Sequence, residues 1–190
     1  MIKYEKLYND VKNILSEKRF RHSESVVKRA IEYALIYNVD IETVKLVAIA
    51  HDIAKELSEE EKQRYIDEYN IKLDEIEKIN NNLHHAKIGA YICKEKYNFT
   101  EDMVNAVMYH TKGRENMSIL EKIIYLADAT EENREGATIN EYVNLIKKDI
   151  NQGMIEISKS VINLLLEKNI VIHLDTINCY NYYIMNKKDK

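Results

Sequence analysis

The chain contains no proline and only 4 glycines in 190 residues, and this scarcity restricts its architecture more than any other feature. Proline and glycine are the residues that most often interrupt helices and mark turns. A chain nearly free of both is expected to form helices joined by short polar connections. Apolar residues recur at spacings of three and four along most of the length, the period of one helix face. Hydrophobic residues make up 45%, enough for a sizeable core at this length without disulfides. The expectation is an all-α bundle forming one domain over residues 1–190, with 170–190 an uncertain extension.

The apolar stripes and cap residues divide the chain further. Ile2 to Leu15 reads as a first helix and Ser23 to Tyr37 as a second. Asp40 stands where an N-cap belongs, before a helix from Ile41 to Lys55 that is apolar on most sides and so belongs at the centre. Ser58 with Glu61, Ser118 with Glu121 and Thr138 with Glu141 are capping-box patterns. They open helices to about Tyr69, over about 119–131, and over 139–168 with a break near Gly153. A short helix is expected from Leu73 to Asn80, another from His85 to Tyr97, and a third from Glu101 to His110 behind Thr100. The tail from Ile170 to Ile184 is ambiguous.

Charged residues make up 32% of the chain with a net charge of -4, which argues against non-specific nucleic-acid binding, since that depends on many Lys and Arg contacts to phosphates. Cys93 and Cys179 are far apart and form no CxxC pair, a usage that suits a reducing cytoplasm. The N-terminus lacks an apolar signal segment, and no stretch approaches the roughly 20 apolar residues of a membrane helix.

One stretch poses a chemical problem. In Val47-Ala48-Ile49-Ala50-His51-Asp52-Ile53-Ala54-Lys55 an adjacent His and Asp sit in an otherwise apolar helix. A buried carboxylate needs a counter-ion or a proton, and nitrogen plus carboxylate ligands suit iron, manganese or zinc. Lys55 falls about one turn further along the same face, where its ammonium could reach a phosphate. His22, His85, His110 and Asp128 lie near the ends of other expected helices, which could converge as in di-iron bundles. A lone histidine at a helix end is more often a cap or a surface residue. The ordered set, His, then His-Asp, then His, His and Asp on successive helices, is what points to metal ligation. His84 and His173 read as structural or surface residues.

The series His22, His51-Asp52, His85, His110, Asp128 resembles the HD-domain metal phosphohydrolases. Longer stretches look like the YqeK-type branch, the symmetrical diadenosine tetraphosphate hydrolases of bacteria. These are Arg19-Phe20-x-His22-Ser23, His51-Asp52-x-x-Lys55, Leu83-x-His85-x-x-x-Gly89-Ala90, Tyr109-His110-Thr111-x-Gly113-Arg114 and Met117 to Asp128, with Glu131 and Arg134 fitting the segment that follows. The likeness covers roughly residues 5 to 170. Lys87 and Glu132 stand where proline is common in that branch, and Ala129 where a larger residue is common.

The resemblance implies an HD-type bundle around a buried pair of divalent metals, usually iron. One metal would take His22, His51 and Asp128, the other His85 and His110, with Asp52 bridging. Such a pair acidifies a water for in-line attack on a phosphate. Lys55 would neutralise charge on the phosphoryl oxygens, and Arg114 and Thr111 would hold the neighbouring phosphate. A small nucleotide is the implied partner, and a homodimer would suit the family, through Ile162-Leu164-Leu165-Leu166 or the Tyr-rich tail, although either could equally be core. The motif set leaves open a deoxynucleotide or cyclic-nucleotide substrate, or a non-catalytic nucleotide sensor, because one fold and metal site serve several chemistries.

Overall fold

A computed structural model gives the folded chain and describes residues 2–133 and 137–187. In chain order the helices are α1 (Tyr4–Ile14), α2 (Glu17–Tyr37), α3 (Ile41–Ala50), α4 (Glu59–Glu68), α5 (Glu75–Ile79), a single 3-10 turn (Asn81–Leu83), α6 (His84–Tyr97), α7 (Glu101–Met108), α8 (Ile119–Ala129), α9 (Ala137–Lys148), α10 (Ile150–Glu167) and α11 (Leu174–Met185). No strand occurs among the described residues, and none of the helices is long and apolar enough to cross a membrane.

The core is built around α3, as its sequence demands. Val44, Leu46, Val47, Ala48, Ile49 and Ala50 are all buried, so the helix has almost no solvent face, and it packs against α1, α2, α7 and α8. The core cluster reaches from Leu7 on α1 to Tyr183 on α11. Cys93 and Cys179 are free thiols inside it.

The caps form largely where expected. Asp40 accepts the Thr43 N–H at 2.8 Å, and reciprocal capping boxes form at Ser58 with Glu61 and Ser118 with Glu121. A third box, Asp74 with Glu77, opens α5. With so little glycine available, asparagine supplies the left-handed residue that stops a helix. Asn38 ends α2 at φ 54° and Asn98 ends α6 at φ 53°.

Several boundaries differ from expectation. The second helix starts at Glu17 rather than Ser23, because Ser16 accepts the Arg19 N–H and caps it, so His22 lies inside the helix and not at its start. The third ends at Ala50, and the chain then tightens into i→i−3 bonds, Ile53 to Ala50 and Lys55 to Asp52. The seventh ends at Met108, which leaves His110 in the turn beyond it. Thr100 occupies the N-cap of α7 without a side-chain bond. Thr138 lies inside α9 rather than capping it. The break in the expected 139–168 helix falls at Asp149, which caps α10 through the Asn151 and Gln152 N–H groups. Gly153 is there for close packing: a Cβ at that position would meet Ile146 Cγ1 at 2.5 Å. The ambiguous tail is helix α11.

Candidate metal centre

Five helices bring the six expected groups to one point. His22 comes from α2, His51 and Asp52 from the tight turn after α3, His85 from the first turn of α6, His110 from the turn after α7, and Asp128 from the last turn of α8. Asp52 sits in the middle. Its Oδ1 is 3.2 Å from His85 Nε2 and 3.5 Å from His110 Nε2. Its Oδ2 is 3.5 Å from His51 Nε2 and 3.8 Å from His22 Nε2. Asp128 Oδ1 lies 3.2 Å from His22 Nε2.

The far side of each ring decides what these short distances mean. His51 Nδ1 lies 2.7 Å from the Ala48 carbonyl, His85 Nδ1 2.7 Å from that of Asn82, and His110 Nδ1 2.7 Å from that of Val107. A carbonyl only accepts, so each ring carries its proton on Nδ1 and turns an Nε2 lone pair inward. His85 Nε2 and His110 Nε2 are themselves 3.3 Å apart. Lone pairs facing one another and a carboxylate repel unless a cation lies among them. Consistent with that demand, His22 Nε2, His51 Nε2 and Asp52 Oδ1 are buried without a hydrogen-bond partner.

Protonation follows the same logic. Burial pushes His51 and His85 down to about 4, so both are neutral at pH 7. Burial works against the charged form of Asp52, and its carboxyl is lowered to the extent that positive charge faces it, from a proton on His51, His110 or His85 or, with these rings neutral, from a cation in their place. Asp128 is lowered too: burial opposes the shift and His22 prevails. Burial would lower His22, but Asp128 beside it raises it on balance. Two overlapping sets, His22 with His51 and Asp128, and His51 with Asp52 and His110, each offer donor atoms within 4.8 Å of one another. The donor types, the burial and the inward lone pairs fit divalent metal ions.

Of the groups expected to meet a substrate, Lys55 touches the cage. Lys55 Nζ reaches His85 Nε2 at 3.2 Å, and burial lowers the pKa of its ammonium. The Thr111 hydroxyl is buried without a partner. Arg114 is already engaged: its NH2 donates to Glu121 Oε1 at 2.7 Å, and its guanidinium lies 5.0 Å over the Tyr109 ring. Glu121 is completely buried, whereas 31% of the Arg114 side chain is exposed, leaving part of the fork free. His84 and His173 stand apart from the cage. His84 Nε2 bonds the Glu77 carbonyl at 2.8 Å, and His173 Nε2 donates to Asp74 Oδ2 at 2.7 Å. Asp74, Glu77 and His173 also cluster, but Lys87 and Lys112 neutralise Glu77.

Two residues without a role in the sequence reading join the cage. Arg19 NH1 donates to Asp52 Oδ2 at 3.0 Å, and Glu131 Oε1 lies 3.5 Å from His22 Nδ1. Spacing offers a signal for both, since Arg19 is one helical turn before His22 and Glu131 is three residues after Asp128. Their partners are distant in sequence, which periodicity does not reveal. Arg134 lies outside the described residues. A cavity of about 650 Å³ opens beside the cage, lined by His22, by basic Lys18, Arg19 and Arg21 and by acidic Glu17, Glu56 and Glu131.

Comparison with known proteins agrees with this geometry. The HD domain family matches residues 19–133. The chain is 37% identical over 94% of its length to a protein of Halalkalibacterium halodurans named bis(5'-nucleosyl)-tetraphosphatase, symmetrical, 95% of which is covered. It is 35% identical over 92% of its length to a Bacillus subtilis protein of the same name, with 94% of that chain covered. A crystal structure from Clostridium acetobutylicum, described as a predicted HD superfamily hydrolase involved in NAD metabolism, superposes with a TM-score of 0.92 at 34% identity, covering 98% of this chain and all of that one. The ordered histidines and aspartates, their helical cage and the match across most of the sequence together place this chain in the HD domain family.

Proposed function

We propose that the chain hydrolyses dinucleoside polyphosphates, above all diadenosine tetraphosphate, which it cuts symmetrically into two ADP. The observation that carries the reading is the cage itself, in which the Nε2 atoms of four histidines converge on the carboxylates of Asp52 and Asp128. Relatives that align over nearly their whole length carry the corresponding name. In the reaction a water oxygen joins one of the two central phosphorus atoms. The bond from that atom to the bridging oxygen breaks, and the bridge leaves with the other ADP.

In this reading His22, His51 and Asp128 would hold one cation and His85 and His110 the other, with Asp52 serving both. Iron is the expected metal, with manganese or zinc as substitutes of similar ligand preference. Two such cations supply Lewis-acid charge and an acidified water. The remaining work falls to the protein. Asp52 turns both oxygens toward the cage, while the carbonyls of Ala48, Asn82 and Val107 fix three ring orientations. Lys55 and Arg19 place positive charge where phosphoryl oxygens would gather. The unpaired Thr111 hydroxyl donates to the phosphate chain, and the free part of the Arg114 fork grips a more distant phosphate.

A homodimer through the end of α10 is part of this reading, supported by Leu164 and Leu166, which are 47% and 61% exposed. A cytoplasmic setting suits the two free thiols. The test of function is a panel of diadenosine tetraphosphate, deoxynucleotides and cyclic nucleotides with products resolved. ADP from the tetraphosphate as the dominant product supports the reading. Preferred turnover of a deoxynucleotide or cyclic nucleotide transfers the same cage to another substrate, and no turnover of any would leave a sensor.

A further inference from the structure

The histidines of the cage are not anchored alike. His51, His85 and His110 all sit at helix ends, where a carbonyl three residues back is free to accept the Nδ1 proton. His22 lies inside α2, where the preceding carbonyls are spent on the helix's own i→i−4 bonds. It needs a partner from elsewhere, and Glu131 is beside its Nδ1 at 3.5 Å. Glu131 is only 4% exposed, and its other oxygen accepts the Asn133 N–H at 2.7 Å, so the carboxylate is held from both sides.

The segment carrying Glu131 is fastened to the same face of α2 that carries His22. Ser25 Oγ accepts the Glu132 N–H at 3.0 Å. Arg29 Nε donates to the Thr130 carbonyl at 2.9 Å, and Tyr33 OH meets Thr130 Oγ1 at 2.8 Å. Residues 22, 25, 29 and 33 recur at helical spacing, so a single stripe presents the ring at one end and straps the loop along the rest.

We propose that Glu131 is a positioning residue. It accepts the Nδ1 proton of His22, aims the Nε2 lone pair into the cage, and thereby sets the cation affinity of the His22, His51 and Asp128 set but not of the Asp52, His85 and His110 set. The inference rests on the metal-hydrolase reading above. Carboxylate partners of this kind orient a ligating imidazole and increase its basicity, and their loss typically costs about 10–100-fold in metal affinity.

The experiment is a zinc titration of the metal-stripped full-length protein, alongside Glu131→Ala, Glu131→Gln and His22→Ala, with melting temperatures measured without metal. Glu131→Ala should weaken one class of site by about 10–100-fold, leave the other at its wild-type affinity and leave the metal-free melting temperature nearly unchanged. Glu131→Gln should fall in between, since an amide oxygen still accepts the proton, and His22→Ala should remove the same class outright. Wild-type affinities in Glu131→Ala overturn the proposal, as does equal weakening of both classes with a lower metal-free melting temperature, which would make Glu131 only a turn residue. If Glu131→Ala does not fold, Glu131→Gln decides alone: loss confined to one class supports the proposal, and no loss or equal loss overturns it. A wild-type chain that binds no zinc would instead sink the hydrolase reading.

Discussion

Asp52 presents both carboxylate oxygens to imidazole nitrogens and receives a guanidinium from Arg19, so its removal should affect every other group in the cage. Asp52→Ala is expected to abolish hydrolysis of diadenosine tetraphosphate and to lower bound metal, measured by turnover and elemental analysis. Full activity in that variant would refute the assignment. Lys55 stands outside the donor set, so Lys55→Ala should keep the metals and slow kcat by about 10²–10³, the usual cost of one charge-stabilising donor. Metal loss there would mean that Lys55 supports the cage itself. At this scale the sequence was informative because burying a His-Asp pair in an apolar helix demands a cation, and the other four groups followed in order. Arg19 and Glu131 had no visible role, because what defines them is a contact with a residue more than a hundred positions away for Glu131 and about thirty for Arg19. The proximity of Arg114 to Glu121 was equally hidden.

Helix α11 shows what an element contributes beyond its own residues. It lies across the turn that follows His110: Cys179 fills the space beside Gly113, where an added Cβ would meet Sγ at 2.8 Å. The Tyr183 hydroxyl accepts the Met117 N–H at 3.2 Å, and Asp175 pairs with Lys112 at 3.0 Å. Tyr183→Phe leaves that N–H buried without a partner and should cost about 1–3 kcal/mol of stability in denaturant unfolding. Gly153→Ala should cost a similar amount, about 1–3 kcal/mol, by overpacking against Ile146. Asp74, which caps α5 and pairs with His173 on the approach to α11, has its carboxyl lowered from the ordinary 3.8 to about 2: burial opposes the shift, and the Glu77 N–H and His173 overcome it. A depressed carboxyl stabilises the fold above its unfolded value and loses that contribution as pH falls from 3.8 toward 2. Asp74→Asn should therefore melt earlier than wild type at neutral pH, with the difference closing through that window. Caps made α3, α4 and α8 legible in advance, since Asp40, Ser58 and Ser118 act locally. The tail was illegible for the opposite reason: its Val, Ile and Tyr residues favour strand, and packing against α10 and the 111–117 turn makes α11 helical. Gly153 misled similarly, because its smallness serves α9 and not a helix break.

For the molecule as a whole, the net charge is a modest -4, and the cavity beside the cage mixes basic Lys18, Arg19 and Arg21 with acidic Glu17, Glu56 and Glu131. The exposed Leu164 and Leu166 predict that a Leu164→Glu, Leu166→Glu double variant sediments as a monomer if the wild type is a dimer through α10. An unchanged dimer would move the interface elsewhere. The central claim is that six side chains from five helices hold a pair of cations, and elemental analysis of anaerobically purified protein tests it most directly. The account predicts about two metal ions per chain in the wild type, iron foremost, and a marked loss in Asp52→Ala. A metal-free wild-type protein, or an Asp52→Ala variant that keeps its full complement, would contradict it.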